Sequence, residues 1–239
     1  MISLSLAPAT LPPGQRIYAI GDVHGCADRL AEMHRLVRAD LAARPIATAT
    51  VVHLGDLIDR GPDSAGVVEF VLQPWPDEPA PTVVNLLGNH EDMMLIAVAS
   101  GDAEAAEHWI ANGGDESLAS WEVPPDTPPE QWWRAVPPTH LGFLRGLSLM
   151  HRAGGYLFVH AGLRPDVLLE RQTRHDLIWI REPFLSWDGP LPAVVVHGHT
   201  PAADPTVRFN RIGIDTGAVL GGRLTCAVLE RETLGFLQV

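Results

Sequence analysis

Residues 50–61 read Thr-Val-Val-His-Leu-Gly-Asp-Leu-Ile-Asp-Arg-Gly, a short β-branched run that stops at Gly55-Asp56 and then offers Asp59, Arg60 and Gly61. Four other runs share this grammar. Ile17-Tyr18-Ala19-Ile20 leads into Gly21-Asp22-Val23-His24-Gly25, and Thr82-Val83-Val84-Asn85-Leu86-Leu87 leads into Gly88-Asn89-His90-Glu91. Tyr156-Leu157-Phe158-Val159 runs into His160-Ala161-Gly162, and Ala193-Val194-Val195-Val196 into His197-Gly198-His199-Thr200. Such runs predict buried strands, each ending in potential ligands. Asp22 and Asp56 are 34 positions apart and Asp56 and Asn89 are 33 apart, each about one strand-helix-strand unit. Leu30, Met33, Val37 and Leu41 recur at one-turn spacing and supply the first helix. Consecutive strands therefore lie parallel and adjacent. Ligands of such sheets gather outside the carboxyl ends of the strands, so the polar clusters should meet in one crevice. From about residue 205, runs such as Leu224–Leu229 and Leu234–Val239 predict antiparallel strands. The expectation is an α/β fold with two packed mixed β-sheets flanked by helices.

The 239 residues are 46% hydrophobic, enough for a real core and too apolar for a disordered chain. All 17 basic residues are Arg, against 29 Asp and Glu, giving a net charge of -12. That excess disfavours nucleic acid, whose non-specific binding needs many basic contacts to phosphate. Cys26 and Cys226 form no CxxC pair, so reduced thiols in a cytoplasmic protein are expected. Residues 1–15 carry no basic residue and break at Pro12-Pro13, unlike a signal peptide. No run approaches 18 apolar residues, so no membrane span is expected.

Residues 101–139 have the composition of an insertion, with Trp109, Trp121, Trp132, Trp133 and three Pro pairs. We expect one domain over 1–239, with a helical Trp/Pro-rich cap at about 101–150 and the main domain resuming near 155. Two readings of these Trp residues stay open: anchors that pack the insertion, or a platform for peptide or nucleobase.

Asp, His and Asn without Cys make a hard to borderline ligand set, suited to Mn, Fe, Zn or Mg. A carboxylate such as Asp56 can bridge two ions. Two ions about 3.5 to 4 Å apart can share a water, lower its pKa and clamp both oxygens of an in-line phosphoryl displacement.

The motifs GDVHG at 21–25, GDLIDRG at 55–61, GNHE at 88–91, HAG at 160–162, HGHT at 197–200 and DTGA at 215–218 come in one order. Together they resemble the PPP family of serine/threonine phosphoesterases, in its bacterial and phage protein-phosphatase branch, within the calcineurin-like metallophosphoesterase superfamily. The resemblance implies that fold and a dinuclear site, Mn being the first choice, with Fe or Zn open. It implies a first metal on Asp22, His24 and Asp56 and a second on Asp56, Asn89, His160 and His199. It further implies His90 as general acid supported by Asp59, with Arg60 and Arg181 gripping phosphate. The implied reaction is attack of a metal-bridging hydroxide on phosphorus in a phosphomonoester. A serine/threonine protein phosphatase follows, with tyrosine substrates also open, acting on a phosphopeptide, phosphoprotein or small phosphoester and on no nucleic acid or membrane.

Two positions discriminate between branches. Pro201 stands where the wider superfamily often has another His ligand, which fits the PPP branch. The symmetrical diadenosine tetraphosphate hydrolases share GDVHGC but typically replace the acid of DRG by Ala, whereas Asp59 is present. A dinucleoside polyphosphate hydrolase is the alternative, and a catalytically idle metal- or phosphate-binding module is the non-enzyme alternative. His53 is expected to be a hydrogen-bonded core residue. His197 is open between supporting a ligand and packing, and Asp215 is expected to support a ligand. Cys26 lacks a partnering base and is not expected to be a nucleophile. The segment His108-Trp109-Ile110-Ala111-Asn112-Gly113-Gly114 resembles one in bacterial family members.

Overall fold

The computed structural model describes residues 3–239; Met1 and Ile2, the start of the stretch read for a leader, lie outside the described residues. The chain opens with β1 (Leu4–Leu6), β2 (Gln15–Ile20), α1 (Ala27–Ala43), β3 (Thr48–His53), α2 (Ser64–Leu72), β4 (Thr82–Asn85) and α3 (Asn89–Ser100). The insertion carries α4 (Ala103–Trp109), a turn kinked at Gly113 (Ile110–Gly114), α5 (Asp115–Ser120), a 3-10 turn (Pro129–Arg134) and α6 (Pro138–Arg145). Then come β5 (Met150–Ala153), β6 (Tyr156–Val159), α7 (Arg174–Trp179), β7 (Val194–His197), β8 (Thr206–Val207), β9 (Arg211–Gly213), β10 (Thr225–Glu230) and β11 (Thr233–Gln238).

Two mixed sheets result, with strand orders β1-β11-β10-β2-β3-β4 and β5-β6-β7-β9-β8. As the spacing predicts, β2, β3 and β4 are parallel neighbours, and β10 and β11 pair antiparallel. The fold is the expected one.

Strand alternation explains the layering. On β2, Ile17 and Ala19 point into the apolar layer between the sheets, together with Val52, Tyr156, Phe158, Val194 and Val196. Tyr18 and Ile20 point the other way, into the layer shared with Leu30, Met33 and Val37 of α1. Leu157, Val159 and Val195 face a third layer closed by Leu177 and Ile178 of α7. A strand buried on both faces has no polar alternation, which is why these runs read as continuously apolar. Each fully buried Val, Ile or Leu contributes roughly 1.5–3 kcal/mol, so the sheets form a rigid frame for their carboxyl ends.

The insertion shares the helical-face core. Trp109, Leu118, Trp121, Trp132, Val136 and Leu141 are buried in the same cluster as Met33 and Val68. Three of the four Trp residues thus anchor the segment by packing, while Trp133 is exposed. His53 is a buried, hydrogen-bonded core residue, its Nε2 2.9 Å from His34 Nε2 and its Nδ1 2.7 Å from Asn85 Oδ1. Among the described residues no helix is long and apolar enough to cross a membrane.

Candidate metal centre

The carboxyl ends of β2, β3, β4, β6 and β7 deliver Asp22, His24, Asp56, Asn89, His160 and His199 to one crevice, and all six are buried. Ligand atoms of His24, Asp56 and His90 lie within 4.8 Å of one another, and so do those of Asp56, His160 and His199. Asp56 belongs to both groups, the position a bridging carboxylate requires.

Outer contacts fix the imidazoles. His24 Nδ1 donates to the carbonyl of Ile58 at 2.9 Å, leaving Nε2 as an acceptor, 3.5 Å from Asp56 Oδ2. His160 Nδ1 donates to the carbonyl of Leu54 at 2.9 Å, and its Nε2 sits 3.0 Å from Asn89 Oδ1 and 3.4 Å from Asp56 Oδ1. His199 Nε2 is 3.2 Å from the carbonyl of Trp179, with Nδ1 2.8 Å from the same Asn89 Oδ1. A backbone carbonyl on the far nitrogen sets the tautomer of a metal-ligating His.

Lone pairs therefore converge with too few protons between them. Asp22 Oδ1 is the one buried side-chain oxygen or nitrogen among the described residues without a hydrogen-bond partner. A cation fits these donors, because oxygen and imidazole ligands that face one another without hydrogens repel unless a positive ion lies between them. Gly198 leaves the room: a Cβ there would collide with Asp22 Oδ1.

Titration follows the same crowding. Burial, then the charges of Asp215 and Asp56, push Asp22 well above the usual carboxylate range. Burial also works against ionisation of Asp56, but the neighbouring His160 and His90 hold it well below that range. Burial opposes protonation of His160, yet Asp56 and Asp22 lift it to about 10. Burial lowers both His24 and His199 to about 3, favouring the neutral imidazole that binds metal.

Five non-glycine residues here have positive φ: His24 (46°), Asp56 (49°), Asp59 (72°), Arg60 (66°) and His199 (64°). Such conformations are costly and cluster where a site over-determines the backbone.

Next to this crevice, His90 Nδ1 donates to Asp59 Oδ2 at 2.8 Å, and both side chains are buried. His90 Nε2 faces inward, 3.9 Å from Asp56 Oδ2. Exposed Arg60 places Nη1 3.1 Å from His24 Nε2. Arg181, exposed just beyond α7, is near enough for its charge to oppose protonation of His199.

The chain matches the family described as calcineurin-like phosphoesterase over residues 15–225. It belongs to that family. Like other calcineurin-like phosphoesterases it is a metal-dependent phosphoester hydrolase, and the His and Asp groups above are candidate ligands for the family's dinuclear centre. The chain is 28% identical to serine/threonine-protein phosphatase 1 of Salmonella typhimurium, over 90% of this chain and 93% of that one. It is 34% identical to a symmetrical bis(5'-nucleosyl)-tetraphosphatase of Nitrosospira multiformis, over 65% of this chain but 46% of the relative. A crystal structure described as that of a candidate diadenosine tetraphosphatase superposes with a TM-score of 0.66 at 24% identity, over 96% of this chain and 98% of the other.

Other sequence-singled residues stand apart from the ligands. His197 packs edge-on against Phe184 at 5.0 Å, with Nδ1 3.1 Å from the carbonyl of Gly198, which favours packing. Asp215 accepts from Gly217 N–H at 3.0 Å and acts on Asp22 through its charge. Burial raises the Cys26 thiol, the reverse of an activated nucleophile.

Glu91 has a structural task that sequence reading did not assign. Fully buried, its carboxylate accepts from the N–H groups of Gly88 (2.8 Å), Asp56 (3.0 Å), Leu57 (2.6 Å) and Ile58 (3.3 Å). It ties the β3 and β4 ends together. The Glu of GNHE was the only signal, and its partners are backbone groups without a sequence signature.

Proposed function

We propose that this calcineurin-like phosphoesterase hydrolyses phosphomonoesters, as a serine/threonine protein phosphatase of the cytoplasm that also tolerates phosphotyrosine. The observation that carries this reading is the buried 2.8 Å contact between His90 and Asp59. An alkoxide leaving from phosphoserine must be protonated, so a positioned acid accelerates that reaction; a nucleoside phosphate leaves without one.

In this reading Asp22, His24 and Asp56 hold one ion, and Asp56, Asn89, His160 and His199 the other, with Mn as the resident metal. When bound, the ions supply Lewis acidity and a nucleophile at neutral pH. Arg60 and Arg181 bind the phosphoryl oxygens through planar guanidinium groups. Asp59 orients His90, and His90 gives its Nε2 proton to the leaving oxygen. Residues 1–239 act as one domain, with 101–150 as its insertion. Two divalent ions, together about +4, and two Arg make the crevice locally positive despite the net charge of -12, because bound metals dominate local fields.

A second reading, hydrolysis of dinucleoside polyphosphates, is favoured by the tetraphosphatase-named relative and the superposed structure. One substrate panel separates them. After chelation and resupply with Mn(II), phosphoserine, phosphothreonine and phosphotyrosine peptides and p-nitrophenyl phosphate are expected to turn over faster than diadenosine tetraphosphate. The reverse order establishes the second reading. Absence of phosphomonoester hydrolysis sinks the first.

A further inference from the structure

The insertion reaches the acid pair directly. Trp109 is fully buried and its indole Nε1 donates to Asp59 Oδ2 at 2.8 Å, across 50 positions of sequence. Ser117, also fully buried, donates through Oγ to Asp59 Oδ1 at 2.6 Å and accepts the Asp59 N–H at 2.9 Å. Between them the chain kinks at Gly113, whose carbonyl accepts the Arg60 N–H at 3.0 Å. Gly113 has φ 95°, and a Cβ on it would lie 2.8 Å from Arg60 Cγ.

The hydrogen-bond inventory makes this arrangement informative. A carboxylate oxygen has two lone-pair sites, and Asp59 Oδ2 fills both, one with His90 Nδ1–H and one with Trp109 Nε1–H. Oδ1 is held by Ser117. The carboxylate is fully buried and cannot rotate without breaking these bonds. A buried indole N–H must find an acceptor; Trp132 takes a loop carbonyl at Thr127, whereas Trp109 takes the Asp59 carboxylate.

We propose that Trp109 and Ser117 are positioning residues for proton transfer: they lock the Asp59 carboxylate, which locks the His90 ring with Nε2 toward the leaving oxygen. This rests on the reading of His90 as proton donor. As hydroxide oxygen bonds to phosphorus, the ester P–O bond breaks and its electron pair stays on the leaving oxygen. That oxygen takes the Nε2 proton of His90. The ring returns to neutral with Nδ1–H still on Asp59, and Trp109 and Ser117 exchange no proton.

The consequence is selective. A p-nitrophenolate leaves with little help, whereas the serine alkoxide needs the proton. Trp109→Phe, Ser117→Ala and His90→Asn are therefore compared on a phosphoserine peptide and on p-nitrophenyl phosphate, with metal content measured for each. The expected result is a fall in phosphoserine kcat of about tenfold or more for Trp109→Phe and Ser117→Ala, with less than about threefold on p-nitrophenyl phosphate. KM and metal content should hold. His90→Asn should show the same split more strongly. Equal losses on both substrates, or none, in the two insertion variants while His90→Asn keeps its split overturn the inference and leave the reading of His90 standing. Loss of the split in His90→Asn itself overturns that reading and the inference with it. Should Trp109→Phe fail to fold, Ser117→Ala, which removes one hydroxyl, carries the test.

Discussion

His199 and Asp22 are joined across 177 positions: the His199 backbone N–H donates to Asp22 Oδ2 at 2.9 Å. The bond ties the end of β2, in the first sheet, to the end of β7, in the second. It spends one Asp22 oxygen on fixing the relative position of the sheets and leaves Oδ1 unpartnered beside Gly198. Gly198→Ala should therefore act through Asp22. The added methyl displaces the carboxylate, so metal measured by atomic emission should fall below two ions per chain and turnover should drop at least about tenfold, as when a supporting contact of a metal site is lost. Two ions retained with full turnover would show that Asp22 Oδ1 is no ligand.

His90 touches Asp59 and faces Asp56, so both a proton-donor role and a ligand role are geometrically open to it. His90→Asn separates them. As a general acid its loss should cut phosphoserine turnover by at least about a hundredfold with metal content unchanged. Metal lost along with activity would instead make His90 a ligand.

Much of this centre was legible because strand, turn and ligand are contiguous in sequence. Gly55-Asp56 follows the strand it terminates, and the spacing of Asp22, Asp56 and Asn89 encodes the parallel order β2-β3-β4. What stayed hidden is non-local or carried by backbone. The Trp109–Asp59 bond needs the insertion folded against α2 and α3 before the two meet. The positive φ at His24, Asp56, Asp59, Arg60 and His199 is a region that non-glycine residues seldom adopt, although Asp and His enter it more readily than most. Tertiary bonds impose it, and composition does not record them.

The buried His34–His53 pair gives stability a predictable acid limb. Burial, then the neighbouring His53, lowers His34 to about 3, and burial lowers His53 to about 4. Below the ordinary histidine value near 6.5, the unfolded chain takes up protons that the folded chain refuses. Stability from this pair is thus complete above about pH 6.5 and is lost as pH falls toward the folded values. By pH 5 the loss is about 2 kcal/mol for each imidazole. Urea unfolding of the chelated protein near pH 7.5 and near pH 5 should show it, and His34→Leu should reduce the difference by about 2 kcal/mol, the share of one imidazole. An identical pH dependence in that variant would place the acid limb elsewhere.

Glu91 predicts a variant that weakens metal binding without touching a ligand. Its carboxylate gathers four backbone N–H groups from the loops that present Asp56 and Asn89. Gln matches its size, but the amide turns a donor toward N–H groups that need an acceptor, leaving some unpaired in a buried site. Each unpaired group costs about 1–3 kcal/mol. Because the loops carry ligands, part of that cost should appear as affinity: Glu91→Gln should weaken metal binding by about 10- to 100-fold in a competition titration. Excess metal should then restore turnover, since the ligands themselves are intact. Glu91→Asp, one methylene short, keeps the charge but draws the oxygens back from Leu57 and Ile58, so it should fall between the two. Failure of excess metal to rescue Glu91→Gln would mean that the carboxylate acts on the reaction and not on the loops that hold the ligands.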